Sequence, residues 1–243
     1  MAIGNFGRIR VFEDFLAPDT ALTWSASPQR LGQVGQVSVN EGSFAHTVDE
    51  PGGILACTTD NADDDNVALY AGPFKPADGG CVMEARFKRP DVSETAVFCG
   101  FSETLAADTP VCPAEATGAT PTLTINGSGG MAGMLDDQDC TTKDWRAVAG
   151  DGGAVASKLT TATGTRANAA SVDDEWDVVR VEIDVNGDAK IYHDGKLIDD
   201  VKACVTPGDV QHAVLLAESR TTGGADVLEV DYFFAEGGRD WAV

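Results

Sequence analysis

Residues Trp176 to Val201 read WDVVRVEIDVNGDAKIYHDGKLIDDV, and the pairing of this stretch decides the fold. Apolar side chains alternate with polar ones through Val179, Val181 and Ile183, and again through Ala189 and Ile191, which is the period of a half-buried strand. Two turn signals, Asn186-Gly187 and Asp194-Gly195, punctuate the run. A two-residue loop at Asn186-Gly187 would set Ile183 against Lys190 and leave each face of the hairpin mixed. A three-residue loop, Val185-Asn186-Gly187 with Gly187 in the left-handed region, pairs Ile183 with Ala189 and Val181 with Ile191 on one face. It also places Glu182 opposite Lys190, a favourable cross-strand charge pair. Asp194-Gly195 suits a type I′ turn and places Ile191 opposite Ile198, so the stretch predicts a three-stranded meander with an apolar inner face.

The same period-two pattern extends outward from this meander. Strands are expected at Gly7–Phe15, Gln33–Asn40, Gly53–Thr58, Asn66–Ala71, Cys81–Lys88, Thr95–Phe101, Gly130–Leu135 and Trp145–Ala149. They continue at Trp176–Val185, Ala189–His193, Lys196–Val201, Gln211–Ser219 and Asp226–Ala235. No stretch longer than ten residues keeps a capped helical period. Many short strands separated by Gly, Pro, Asn and Asp clusters predict an all-β, two-sheet antiparallel sandwich. Residues 102–129, with Pro110, Pro113 and Pro121, and residues 150–174, rich in Gly, Ala and Thr, read as two long loop excursions. With no repeat and no linker, residues 1–243 are expected to form one domain with an amino-terminal arm over 1–11.

Composition narrows the function classes. The 243 residues carry 39 acidic and 17 basic side chains, a net charge of −22. Such an excess opposes phosphate backbones and anionic lipid surfaces, so nucleic acid and membrane are not expected partners. Asp outnumbers Glu by 27 to 12, and Asp favours turns over helices. At 43% hydrophobic residues the chain is apolar enough to fold. Met1–Leu16 has no uninterrupted apolar segment of secretory type, so synthesis in the cytosol is expected.

The six cysteines, Cys57, Cys81, Cys99, Cys112, Cys140 and Cys204, form no C-x-x-C pair and have no partnering His cluster, so structural zinc is not expected. Reduced thiols are the default without a secretory signal. Cys112 and Cys140 lie in or beside loops, and would be placed to pair if the protein meets an oxidising exterior.

The meander resembles the concanavalin A-like lectin/glucanase superfamily, in particular its laminin-G-like jelly rolls. The resemblance rests on Trp176, Val179-Val181-Ile183, Asn186-Gly187, Ile191-Tyr192, Asp194-Gly195 and Leu197-Ile198, with Val227–Phe234 similar to the family's closing strand. A wider resemblance, to jelly-roll proteins of tailed-bacteriophage particles, rests on Phe12–Leu16, Trp24–Ser27, Glu50–Ala56, Asp65–Tyr70, Glu84–Lys88, Ala96–Phe101 and Gly133–Trp145. It implies a virion structural protein, an accessory or decoration protein on the outer capsid. Its implied partners are the major capsid protein or other virion proteins and further copies of itself. A lectin-like module binding a surface glycan is the alternative, and a glycoside hydrolase-like protein without a recognisable active site is the second alternative.

Family 16 glucanases of the same superfamily carry E-x-D-x-x-E or E-x-D-x-E on one strand, the two glutamates serving as nucleophile and acid/base. Glu182-Ile183-Asp184, Glu229-Val230-Asp231 and Glu175-Trp176-Asp177 each lack the second glutamate. Ser128 has no G-x-S-x-G context, and His46, His193 and His212 are widely spaced. No catalytic, cofactor or metal residue is therefore assigned, and the chain is expected not to be an enzyme. Asp60–Asn66 and Asp136–Asp139 offer clustered oxygens, and laminin-G-like relatives bind calcium at a sandwich edge, but neither cluster has the D-x-[DN]-x-[DN]-G order. Acidic turns of this kind are expected to be solvated. Trp145, beside Arg146 after a polar turn, is expected to pack, with stacking on a sugar ring or a neighbouring subunit as the other reading.

Overall fold

Cys81–Lys88 shows how the sheets are built: Cys81, Met83, Ala85 and Phe87 are buried, while Val82, Glu84, Arg86 and Lys88 alternate with them on the opposite, half-exposed face. The structure is a computed structural model that describes residues 8–16, 29–31, 34–38, 42–47, 53–105, 111–127, 129–151, 158–161, 170–221 and 224–238. Its strands are β1 (Arg8–Glu13), β2 (Gln29–Leu31), β3 (Val34–Ser38), β4 (Ser43–His46), β5 (Leu55–Thr58) and β6 (Asn66–Phe74). They continue as β7 (Cys81–Lys88), β8 (Thr95–Ser102), β9 (Ala114–Thr117), β10 (Thr122–Ile125), β11 (Gly130–Asp136) and β12 (Arg146–Asp151). The last six are β13 (Lys158–Thr161), β14 (Asp177–Ile183), β15 (Ala189–His193), β16 (Lys196–Val201), β17 (Gln211–Ser219) and β18 (Val227–Gly238).

Two antiparallel sheets of eight strands face each other. The first runs β16-β15-β14-β7-β18-β5-β4, with β1 also paired to β18; the second runs β13-β12-β11-β8-β17-β6-β3-β2. Central neighbours such as β7 beside β14 and β18, and β17 beside β6 and β8, are distant in sequence, as in a jelly roll. One apolar core fills the space between the sheets, with Phe74, Phe87, Phe101, Trp145 and Phe233 among its large side chains.

The meander adopts the expected pairing: Ile183 faces Ala189, Val181 faces Ile191 and Glu182 faces Lys190. Gly187 has φ +79°, and a Cβ there would lie 2.1 Å from the Val205 carbonyl oxygen, so the loop admits glycine alone. The next turn corrects the expectation. His193 pairs with Lys196 and Tyr192 with Leu197, but a bulge then sets Ile191 against Asp199 rather than Ile198. Ile198 becomes the extra residue and packs against the core.

The two loop excursions also hold strands. Within 102–129, β9 and β10 form a hairpin over the outer face of the second sheet. There Ala114 and Ala116 join Phe98, Met131, Leu135, Val148, Val214 and Leu216 in a second apolar cluster, with Leu123 and Ile125 packed against it. This cover explains why every residue of β8, β11 and β17 except His212 is buried, on both faces. Within 150–174, β12 continues to Asp151, β13 pairs with it, and most of the remainder lies outside the described residues. Residues 8–11 of the expected arm belong to β1, and residues 1–7 lie outside the described residues, as do Trp24 and Ser128.

Candidate functional site

The outer face of the first sheet is open, and each outward Glu-x-Asp carboxylate on it is already engaged. Glu182 accepts from Arg180 Nε at 2.7 Å, while Asp184 accepts the Asn186 and Asp188 backbone N–H groups at the hairpin turn. Glu229 pairs with Lys88 at 2.9 Å and Asp231 with Arg86 at 2.5 Å. A bulge between Val230 and Tyr232 makes Asp231 the extra residue. Glu175 is an exposed turn residue, and Asp177 lies 2.5 Å from His193 Nε2.

Topology also brings together a carboxylate pair that no linear motif encodes. Arg180 faces Glu84 across β14 and β7, and its guanidinium touches Glu84 at 3.2 Å as well as Glu182. Tyr232 donates to the other Glu84 oxygen at 2.8 Å. The arginine between the two glutamates holds each in an ion pair, an arrangement unlike an acid/base pair left open to substrate. Arg8 and Arg10 both pair with Glu236. Arg8, Arg10, Arg86, Lys88 and Arg180 are thus each paired with a carboxylate. The aromatic residues of the face are Trp176, Tyr192, Tyr232, Phe234 and Phe12, but Arg86 lies 4.3 Å from the Trp176 ring centroid and covers one of its faces.

Under the β9–β10 hairpin lies a second cluster, which corrects the expectation that Asp136–Asp139 is a solvated turn. Asp136 and Asp137 are fully buried. Arg89 meets Asp136 at 2.5 Å. Arg220 grips Asp137 with two bonds of 3.1 and 2.9 Å, and its third nitrogen reaches Glu218 at 2.6 Å and Asp64 at 3.1 Å. The same acids hold the hairpin down: Asp137 accepts the Ala116 N–H and Glu218 the Cys112 N–H. Three buried carboxylates against two guanidinium groups leave one charge too many, and burial pushes the Glu218 carboxyl up to about 7.

Between the ordinary glutamate value and about 7 the folded chain keeps a proton that the unfolded chain has lost. Stability therefore falls as pH rises through that window and levels off above it. Glu218→Gln is expected to flatten this slope and to gain on the order of 2–3 kcal/mol over wild type at pH 8. Urea midpoints from pH 5 to 8 check it: equal slopes for the two proteins would contradict the assignment.

Two more places were candidates for chemistry. Asp177, His193 and Asp194 bring three ligand atoms within 4.8 Å of one another, so they are the described residues best placed to hold a cation. Their donors already have protein partners, since Asp177 bonds His193 and Asp194 accepts the Val178 N–H. A signal existed in the sequence: the Asp194-Gly195 turn carries His193 back alongside the start of β14. A pocket of about 280 Å³ at the end of the first sheet is lined by Arg8, Lys190, Lys202, Glu182, Asp184 and Asp188 among others. Lys202 pairs with Asp188 and Asp200, which leaves no uniform charge there.

Trp145 and the cysteines complete the comparison with expectation. Trp145 is 1% exposed and packs on Phe87 and His193, so it is a core residue and unavailable to a sugar. All six cysteines are buried free thiols. Cys112 and Cys140 each donate to a backbone carbonyl of β9, at Ala114 and Ala116. His46 lies on β4 and His212 on β17, in different sheets, and burial lowers both.

No family model matches this chain, and no curated protein matches it. Solved structures do. The protein of unknown function SO2946 from Shewanella oneidensis MR-1 is similar at a TM-score of 0.60 and 12% identity, covering 96% of this chain and 87% of that one. The Bacillus licheniformis beta-glucanase is similar at 0.53 and 11%, covering 93% and 97%. The carbohydrate recognition domain of Emp47p is similar at 0.52 and 12%, covering 88% and 95%. Identities this low show the fold alone, and the fold is a concanavalin A-like jelly roll.

Proposed function

We propose that this chain is a non-enzymatic structural protein of a bacteriophage particle, a decoration or accessory protein on the outer head surface that binds the major capsid protein or other virion proteins. The observation that carries the non-enzymatic part is the engagement of every outward Glu-x-Asp carboxylate of the open sheet by a neighbouring cation or backbone N–H. The closed outer face of the second sheet, sealed by an apolar hairpin, also supports it. A net charge of −22 suits a surface facing solvent and would oppose packing if it lined a DNA-filled head. The resemblance of Phe12–Leu16, Glu84–Lys88 and Gly133–Trp145 to phage jelly-roll proteins supplies the setting. Mass spectrometry of gradient-purified particles tests the reading. The chain is expected at a stoichiometry of many copies per particle, and its absence overturns the proposal.

A second reading, glycan binding, is favoured by the aromatic side chains on the open sheet. Tyr232, with its neighbour Phe12 at 6.2 Å between centroids, replaces Trp145 as the residue to test. Saturable binding to one sugar class on a glycan array, lost in Tyr232→Ala, would support it over a purely structural role.

A further inference from the structure

His193 ends β15 on the face of the first sheet that looks into the core, and its side chain is 1% exposed. Asp177 opens β14 two residues before Val179, the residue opposite His193, so strand alternation puts its carboxylate on the same inner face. Asp194 follows in the turn and is held there twice by Val178: it donates its N–H to the Val178 carbonyl and accepts the Val178 N–H at 2.9 Å. One imidazole nitrogen and two carboxylates therefore converge at the rim of the core. His193 Nε2 lies 2.5 Å from Asp177 and 4.0 Å from Asp194, and the three ligand atoms all fall within 4.8 Å of one another.

Two features separate this trio from an acidic turn. One ligand is a buried imidazole, and the three are set by the pairing of two strands rather than by one loop. Zinc ligands at about 2.0–2.2 Å from the ion stand roughly 3.4 Å from one another. The separations of 2.5 and 4.0 Å bracket that value, so small side-chain shifts bring all three onto one ion. A buried donor also lies close by: the Trp145 ring is 5.4 Å from the imidazole, and its Nε1 has no hydrogen-bond partner. We infer that Asp177, His193 and Asp194 bind one zinc ion, which replaces the hydrogen bond between His193 and Asp177 with a bond from each to the metal. Two carboxylates and a neutral imidazole balance the charge of the ion, and water completes its shell. The nitrogen ligand selects zinc over calcium and magnesium, which take oxygen ligands. Neither a cysteine pair nor a calcium-loop order marks such a site, because Asp177 and His193 lie 16 residues apart. The inference goes beyond the proposed virion role and stands whether or not that role holds.

Isothermal titration of zinc chloride into the metal-stripped full chain tests the site. Wild type is expected to bind one zinc per chain in a saturable step that excess calcium chloride leaves in place. Asp194→Asn keeps an acceptor for the Val178 N–H and loses the charge. It is expected to weaken zinc by at least about tenfold, the loss that even an outer partner of a metal ligand causes. Asp63→Asn, in an exposed acidic turn, is expected to bind as wild type does. No stoichiometric step, a step displaced by calcium, an unchanged affinity in Asp194→Asn or an equal loss in Asp63→Asn overturns the inference. Should Asp194→Asn not fold, cobalt chloride added to wild type decides by nuclear magnetic resonance. The Val178 and Asp194 amide signals are expected to broaden first, and broadening that starts in the Asp60–Asp65 turn overturns the site.

Discussion

Arg220→Met is expected to destabilise the fold by about 3–5 kcal/mol, the cost of leaving buried carboxylates without their cation. For a chain of this length that lowers the melting temperature by roughly 6–20 °C. The expectation follows from position. The Arg220 side chain is 4% exposed, and it is gripped by Asp137, itself fully buried, and by Glu218. Methionine fills much of the same volume, so the loss isolates charge from packing. The triple variant Arg220→Met/Asp137→Asn/Glu218→Gln removes the stranded charges too and is expected to recover most of the stability. Thermal denaturation of the three proteins checks the account. A single variant within 1 kcal/mol of wild type would sink it, and so would a triple variant no better than the single.

Trp145→Ala is expected to cost about 3–5 kcal/mol through lost apolar burial and the cavity left behind. The ring sits between the sheets against Phe87, with centroids 5.8 Å apart, and Arg89 lies over it at 5.3 Å. Its Nε1 has no hydrogen-bond partner, so Trp145→Phe forfeits no hydrogen bond and should recover part of the loss. Urea denaturation monitored by circular dichroism distinguishes the readings. A stable Trp145→Ala protein would mean that the indole is not in the core.

Where the fold was legible, the deciding contacts were local. The three-residue loop at Val185–Gly187 fixed the β14–β15 register, because only one register separates apolar from polar faces. The bounds of β7, β15, β16 and β17 fall where alternation and turn residues put them. The β9–β10 hairpin is hard to read because β9 alternates only the small Ala114 and Ala116, and the Leu123/Ile125 alternation of β10 is only four residues long and follows Pro121. The buried ion pairs were invisible for a different reason. Asp136 and Asp137 look like a hydrated turn until Arg89 and Arg220, 47 and 83 residues away in sequence, close on them. Trp145, for which core packing is the expected reading, does lie in the core. Its neighbour Arg146 suggested a surface, yet that guanidinium is buried too, bonded to the carbonyls of Asp144 and Thr142. Long-range partners decide whether a charged residue is skin or core, and no local pattern encodes them.

The same distinction bears on function. A carboxylate-rich jelly roll invites comparison with glucanases, yet in this chain the acids of the open sheet face basic neighbours and those of the closed sheet bind arginines. What remains facing solvent is a strongly acidic surface.

Gold-labelled antibody against this chain, applied to intact and to disrupted particles, tests the proposed role most directly. Labelling of intact heads, at a density no lower than on disrupted ones, is the predicted result. Labelling confined to disrupted particles would place the chain inside and contradict the account.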